Sequence, residues 1–397
     1  MKTISILGAT GSVGKSSLDV ISLLDNSHRI FGLSCHKNIG LLHEQILKFS
    51  PQYAVITDQA SFNLFIKQYG NQIGSSKILF GKEGLDVISS NENVTTIIAA
   101  ITGFPCIYPV ISAINRDKTI LIANKEILVS AGNMIVSQLK NSNATILPID
   151  SEHNALLQVI LSSGLEYRIN DADYYKNKIK NLIITASGGP FIDFNLNELK
   201  TVTAKDAIKH PTWNMGKKIS VDSSTMMNKG LEIIEAKILF NLNIDNILAV
   251  IHRQSRVHAF VEFFDGTVIS HMSNPDMKIP ISYAITYPER VYSHNSNDFV
   301  YNNFSFEEIA NDKFPCYRLA RNVAEIGKNT GLILNAANEI SVEYFLEDKI
   351  SYLDIPNIIE DILESSAVVD HDTLESIIEN DKEVRELTKD CIKRKYL

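Results

Sequence analysis

Seven residues near the start of the chain limit its fold more than any other feature. Ile4-Ser5-Ile6-Leu7 runs into Gly8-Ala9-Thr10-Gly11-Ser12-Val13-Gly14, and a helical pattern follows from Lys15. A strand, a glycine turn and a helix N-terminus in succession form an anion site. Helix N–H groups that lack an intrahelical partner point at the ligand, and glycines let a phosphate approach the backbone. The GxxGxxG spacing is a relative of the GxGxxG dinucleotide fingerprint. A rival pattern, Ala9-x-x-x-x-Gly14-Lys15-Ser16, reads as a loosened mononucleotide P-loop with Ile146–Asp150 as its second strand. That rival leaves the three-residue glycine steps unexplained and puts Pro148 in a central strand, where proline fits badly. The dinucleotide reading is preferred. Nucleotide choice falls to the second strand, Ile30–Ser34, which ends in Cys35-His36-Lys37-Asn38 with no carboxylate. An NAD site offers an acid there to the ribose 2′-hydroxyl, whereas a cation and an amide suit a 2′-phosphate, so NADP is favoured.

Short apolar runs alternate with helical patterns through the first third, at Ile30–Ser34, Tyr53–Thr57, Ile97–Ala100, Thr119–Ala123 and Ala144–Ile149. That rhythm predicts an α/β fold with a doubly wound, mostly parallel sheet. From about 150 to 290 the elements mix. Leu182–Ala186 reads as a strand, and Val257–Phe264 and Val268–Met272 flank the hairpin signal Asp265-Gly266. The polar stretch Asn295–Asn303 reads as a linker. Beyond it Ser305-x-x-Glu308 has capping-box spacing, and Leu374, Ile377, Ile378, Val384, Leu387 and Cys391 fall near one helix face.

At 397 residues the chain has room for two or three domains. Acidic residues outnumber basic ones by 46 to 38 and no basic run stands out, which argues against a nucleic-acid partner. Four scattered cysteines without a CxxC pair suit reduced thiols in a cytoplasmic protein. The chain enters a strand pattern at once, leaving no room for a targeting peptide. The uncharged stretch Asn93–Asn115 is broken by Gly103, Pro105 and Pro109, so no membrane association is expected.

Two further segments carry chemistry. Asp150-Ser151-Glu152-His153 closes the apolar run Thr145–Ile149, and in an extended strand end positions 150 and 152 project to one side. Carboxylates that close repel unless a proton or cation lies between them, and hard oxygen donors favour Mg²⁺ or Mn²⁺. A helix N-terminus rich in acids is the alternative reading. The segment His210–Glu232 gathers the chain's single Trp, Trp213, with Ser223, Asn228 and Lys229, which are suitable phosphate donors. Ser187 in Ser-Gly-Gly could add another, and Glu232 would complete a three-carboxylate metal site. Trp213, in a polar stretch, suits a flap that covers a ligand. Tyr174-x-x-x-Lys178 has the spacing of a short-chain dehydrogenase pair but sits in a polar surface-like segment.

Taken together, the chain resembles the 1-deoxy-D-xylulose 5-phosphate reductoisomerases over essentially its whole length. The resemblance is carried by Gly8–Gly14, Ala123–Glu126, Pro148–Ala155, Thr185–Phe191, His210–Glu232, Ser273–Ile281, Phe314–Ala320 and Asn335–Glu339. It implies a Rossmann-like NADPH-binding domain over 1–150, a catalytic and dimerisation domain over 151–290, a linker over 291–311 and a helical domain over 312–397. It also implies a homodimer, with the Asp265-Gly266 hairpin as a partner surface. By resemblance, Thr10, Gly11, Ser12 and Val13 meet the NADPH pyrophosphate, Lys37 and Asn38 its 2′-phosphate end, and Asn124, Glu126 and Gly216 further parts of the cofactor. Asp150, Glu152 and Glu232 correspond to divalent-metal ligands, and with Lys125 they form the catalytic set. Ser151, Ser187, His210, Ser223, Asn228 and Lys229 correspond to contacts with the phosphorylated sugar, as do Lys125, Glu152 and Glu232. His36 stands where a small residue is usual, Thr212 and Asn214 vary in the flap, and Asn154 replaces a common Ser.

The implied reaction has two stages, a skeletal rearrangement of the ketose phosphate and a hydride transfer from NADPH, yielding 2-C-methyl-D-erythritol 4-phosphate on the non-mevalonate isoprenoid route. Competing readings are a semialdehyde-type dehydrogenase, for which Cys106 would be the nucleophile, a P-loop phosphotransferase, and an NADP-sensing protein without turnover.

Overall fold

A computed structural model describes residues 2–24, 27–169, 171, 173–209, 216–291, 303–371 and 373–397. The chain divides into two compact units. One comprises Met1–Ile127, Ser137–Asn154 and Asp276–Asn297; the other comprises Leu128–Val136, Ala155–Pro275 and Asp298–Leu397.

The first unit is built on eight strands: β1 (Lys2–Leu7), β2 (His28–Cys35), β3 (Tyr53–Ile56), β4 (Gln72–Ile73), β5 (Ser76–Phe80), β6 (Thr96–Ala99), β7 (Thr119–Ile122) and β8 (Thr145–Pro148). Their order is β4-β5-β3-β2-β1-β6-β7-β8, and every pairing is parallel except β4 with β5. Ile6, Leu33, Ile97, Ile98, Ile120, Leu121 and Ile122 have no exposed surface. Strands covered on both faces read as continuous β-branched runs, which is why these segments were recognisable. The chain winds outward from β1 through β2 and β3, then returns to place β6 on β1's other side. That reversal is the switch point where doubly wound sheets bind ligands, beyond the strand carboxyl ends. Pro148 is the last residue of β8, which lies at the sheet edge, so its missing N–H interrupts no central ladder.

The second unit holds a mixed sheet of β9 (Ile179–Ala186), β10 (Ile247–Ile251), β11 (Val257–Phe263), β12 (Val268–Met272) and β13 (Glu307–Glu308), ordered β12-β11-β9-β10-β13. The β11–β12 hairpin turns at Gly266 (φ +86°), where the Asp265 carboxylate accepts from Thr267 N at 2.8 Å. Helices Pro315–Ile326, Thr330–Leu346, Asp354–Ser365 and Leu374–Lys395 follow. In the last, Ile377, Val384 and Cys391 are buried on the face the periodicity indicated, and Ile378 and Leu387 flank it half-buried.

The capping-box spacing at Ser305 does not start a helix. Glu307 and Glu308 pair antiparallel with Ile251 and Val250, and the Ser305 carbonyl accepts from His252 Nδ1 at 3.0 Å, so sheet pairing overrides the local signal. The described residues hold no helix long and apolar enough to cross a membrane. Residues 292–302, most of the expected linker, and His210, Thr212, Trp213 and Asn214 of the expected flap lie outside the described residues.

Candidate active site

In the first unit the glycine loop is fixed by backbone. Gly8 has φ +89°, and a Cβ there would lie 2.6 Å from the Ala100 carbonyl oxygen, just past the end of β6. A Cβ at Gly14 would strike the Gly8 carbonyl and come within 2.6 Å of Ala9 Cα. Glycine is therefore required for the loop to fold on itself at the β1/β6 crevice. Gly8 N donates to Ser34 Oγ at 2.9 Å and Ala9 N to the Ser34 carbonyl at 2.7 Å, tying the loop to the end of β2. The helix that follows, Ser12–Leu23, has no side-chain cap at Gly11 and no acid in its first turn. This N-terminus suits an anion, and the fit to a dinucleotide pyrophosphate is good. The P-loop rival fails on topology. Its acid, Asp150, follows β8, three strands from β1 and so about 14 Å across the sheet.

Asn38 caps the helix Ile39–Phe49 through Leu41 N at 3.3 Å, and Lys37 and His36 are exposed beside it. Asn124 is a bracket: its amide donates to the carbonyls of Ile101 (2.6 Å) and Gly103 (2.8 Å), and its oxygen accepts from Ile127 N. It thereby fixes the segment after β6 that forms one wall of the crevice. Glu126 is buried in the first turn of the helix Lys125–Leu139.

Asp150 and Glu152 do not lie on an extended strand end; the alternative reading, an acid-rich helix N-terminus, describes them. β8 stops at Pro148 and a helix, Ser151–Ser162, begins at once, with the Asp150 carbonyl accepting from Asn154 N at 2.8 Å. Asp150 therefore sits at the N-cap and Glu152 in the first turn, where the helix dipole favours negative charge. Lys125 Nζ lies 2.6 Å from Asp150 Oδ2, with His153 Nδ1 at 4.0 Å from the same oxygen. Ser151 N donates to Asp150 Oδ1 at 3.0 Å, and Ser151 Oγ donates to Glu152 at 2.5 Å. Asn154, fully buried, donates to the Pro148 and Pro280 carbonyls, which explains how an amide serves at this position.

In the second unit two glycines with positive φ, Gly188 and Gly189, turn the chain after β9. A Cβ at Gly189 would lie 2.6 Å from the Ser223 carbonyl oxygen, so this turn packs backbone to backbone against the helix Lys217–Ser224. Ser187, whose Oγ accepts from Gly189 N at 3.3 Å, is thus brought beside Ser223. Gly216 is the N-cap of that helix, again without a side-chain cap or a first-turn acid. Met226, at φ +60°, links it to the helix Met227–Phe240, which presents Asn228 and Lys229 in its first turn and Glu232 in the next. Glu232 is 1% exposed and accepts from both the Asn228 amide and the Lys229 ammonium, itself 3% exposed. Two buried opposite charges three residues apart neutralise each other, and stripping either partner would strand the other.

Sequence reasoning assigned no role to Asp222 or Asn338. Asp222 is 1% exposed, bonded by Asn338 Nδ2 at 2.8 Å and paired with Lys218 Nζ at 2.8 Å. This pair pins the helix that bears Ser223 to the helix Thr330–Leu346. Both residues lie in motifs that carry the resemblance, but only folding shows that they meet. Tyr174 and Lys178 are no catalytic pair: Lys178 Nζ sits over the Tyr174 ring at 3.5 Å, and the hydroxyl accepts from Glu166 N. Cys106 is fully buried and burial pushes its thiol up to about 12, which removes the nucleophile a semialdehyde dehydrogenase needs. All four cysteines are free and buried.

A doubly wound sheet with a backbone anion site, joined to a second unit carrying a buried carboxylate–lysine pair, defines a nucleotide-dependent α/β oxidoreductase. Residues 4–132 match the 1-deoxy-D-xylulose 5-phosphate reductoisomerase family, 146–240 its C-terminal domain, and 272–387 the DXP reductoisomerase C-terminal domain. The chain belongs to the 1-deoxy-D-xylulose 5-phosphate reductoisomerase family. It is 41% identical over 400 residues to the family enzyme of Caldanaerobacter subterraneus subsp. tengcongensis, covering 100% of both chains. It is 40% identical over 388 residues to that of Clostridium perfringens, covering 97% of this chain and 98% of the relative. Among solved structures, a reductoisomerase in complex with NADPH, fosmidomycin and magnesium superposes with a TM-score of 0.93 at 38% identity, covering 99% of this chain and 98% of that one. The Zymomonas mobilis enzyme in complex with NADPH gives 0.88 at 32% identity, covering 99% of each.

Proposed function

We propose that this chain converts 1-deoxy-D-xylulose 5-phosphate to 2-C-methyl-D-erythritol 4-phosphate, using NADPH and a divalent metal ion. The observation that carries the reading is that one chain of this family holds both a backbone-built anion site at β1/β6 and two carboxylate–lysine pairs, Lys125–Asp150 and Lys229–Glu232. Relatives solved with NADPH and with magnesium support it.

Asp150, Glu152 and Glu232 would hold the metal ion. They offer only hard carboxylate oxygens, each oriented by a neighbour: Lys125 and Ser151 N, Ser151 Oγ, and Asn228 with Lys229. Such a set fits Mg²⁺ or Mn²⁺. When bound, the ion supplies Lewis acidity at the substrate ketone and NADPH supplies the hydride. Thr10, Gly11, Ser12 and Val13 would bind the pyrophosphate, Lys37 and Asn38 the 2′-phosphate end, and Asn124, Glu126 and Gly216 the rest of the cofactor. Ser187, Ser223, Asn228 and Lys229, with His210, would grip the substrate phosphate, whose binding energy positions the distant reacting carbons. Ser151 would orient the sugar, and Lys125 would place its ammonium against oxyanion charge developing there. In this scheme 1–150 serves the cofactor, 151–290 the chemistry and 312–397 buttresses the phosphate grip.

The finer setting belongs to the same proposal: a cytoplasmic homodimer acting on a phosphorylated sugar, with neither nucleic acid nor membrane as partner. Edge strand β12 supports the dimer, since Val268 and Met272, with Phe264 at the turn, expose 53%, 46% and 58% of their surfaces. The test is NADPH oxidation with 1-deoxy-D-xylulose 5-phosphate, before and after chelation. Oxidation that needs added Mg²⁺ or Mn²⁺ is expected; none with either ion, or a rate indifferent to chelation, would overturn the reading.

A further inference from the structure

We propose that the His36 imidazole is a specificity-determining group for the nucleotide 2′-phosphate, held in place by Thr57. The inference rests on the NADPH reading above and adds a side chain to it.

The geometry begins with strand pairing. Cys35 lies opposite Ile56 in the β2–β3 register, so His36 and Thr57 leave their strands side by side. Thr57 N donates to the Cys35 carbonyl at 3.0 Å, and Thr57 Oγ1 reaches the same oxygen at 3.4 Å. Thr57 Oγ1 lies closer to His36 Nδ1, 2.9 Å away, and a hydroxyl that gives its one proton to that nitrogen leaves the ring's own proton on Nε2. That bond sets the tautomer and fixes the ring. Nε2 is the nitrogen left for a ligand. Two residues upstream, Ser34 holds Gly8 and Ala9 of the anion loop, so a dinucleotide whose pyrophosphate lies on that loop runs its adenine ribose toward the end of β2. Asp58, which caps the helix Gln59–Tyr69, interacts electrostatically with both Lys37 and His36. With the ring's proton on Nε2, that nitrogen donates to a phosphate oxygen. Beside the Lys37 ammonium this adds a donor to the grip on an anion that NADH lacks.

Equilibrium binding of NADPH and of NADH, followed by nicotinamide fluorescence without substrate, tests this on the full chain. His36→Ala should weaken NADPH by roughly tenfold, the scale of one charge-assisted hydrogen bond, and leave NADH unchanged. Thr57→Val, which keeps the shape and removes the hydroxyl, should weaken NADPH by a smaller factor, again with NADH unchanged. Unaltered NADPH affinity in His36→Ala, or equal losses for both nucleotides, would overturn the proposal. A wild-type protein that does not prefer NADPH would instead overturn the cofactor reading beneath it.

Discussion

The glycine loop of the first unit and the Ser223–Glu232 region of the second both suit anions, yet they are built in opposite ways. The loop uses backbone N–H groups and a helix terminus, and glycines at 8 and 14 exist because a Cβ has nowhere to go. The second region uses charged side chains buried almost completely, with Glu232 and Lys229 compensating each other. A backbone site is satisfied by local chain geometry and costs little desolvation. A side-chain site brings full charge at the cost of burial, and so depends on partners far away in sequence, such as Asn338 on Asp222.

The contrast can be broken most severely at Glu232. Glu232→Gln keeps the shape and removes the charge, so turnover should fall by about 10³-fold or more while NADPH affinity stays within about twofold. Near-normal turnover at limiting metal would show that the carboxylate is structural. Gly14→Val attacks the other side: its Cβ meets the Gly8 carbonyl and the loop must open. NADPH binding should weaken by about 100-fold, since loop and helix terminus move together. Titration showing wild-type affinity would mean that the close approach is dispensable.

Asn338→Leu should cost about 2 kcal/mol in denaturant unfolding, because Asp222 loses a bond inside the protein. KM for the phosphorylated substrate should rise more than kcat falls; unchanged stability and KM would separate this pair from the phosphate grip. The smallest effect is expected at Cys106. With burial pushing the thiol up to about 12, it stays protonated near neutral pH, and the thiolate appears only on approaching that value. Alkylation of native protein at pH 8 should leave Cys106 unmodified, and Cys106→Ala should keep kcat within about twofold. Trapping a thioester there would restore the dehydrogenase alternative.

The first unit was legible because its signals are local. Strand–glycine–helix order, apolar runs and the missing acid after β2 are each readable within about ten residues. The misreadings came where neighbours in space decide. The sequence leaves Asp150 and Glu152 between an extended strand end and a helix N-terminus, and the edge strand ending at Pro148 hands over directly to a helix. Ser305 to Glu308 has a helix-start pattern, yet an open edge at β10 captures it as a strand. Strand β10, Ile247–Ile251, is a strand through its parallel pairing with β9, and its burial does not alternate.

Sequence alone determined the class of fold and the chemical types at the site, since glycine steps, hydrophobic period and the choice of carboxylate, lysine and serine are written residue by residue. Tertiary structure alone decided which partner each buried charge meets. Lys125 meets Asp150 across 25 positions and Asn338 meets Asp222 across 116. Those pairings follow from which buried charge must be paired or hydrogen-bonded where, and that is settled only once helices and sheets have packed.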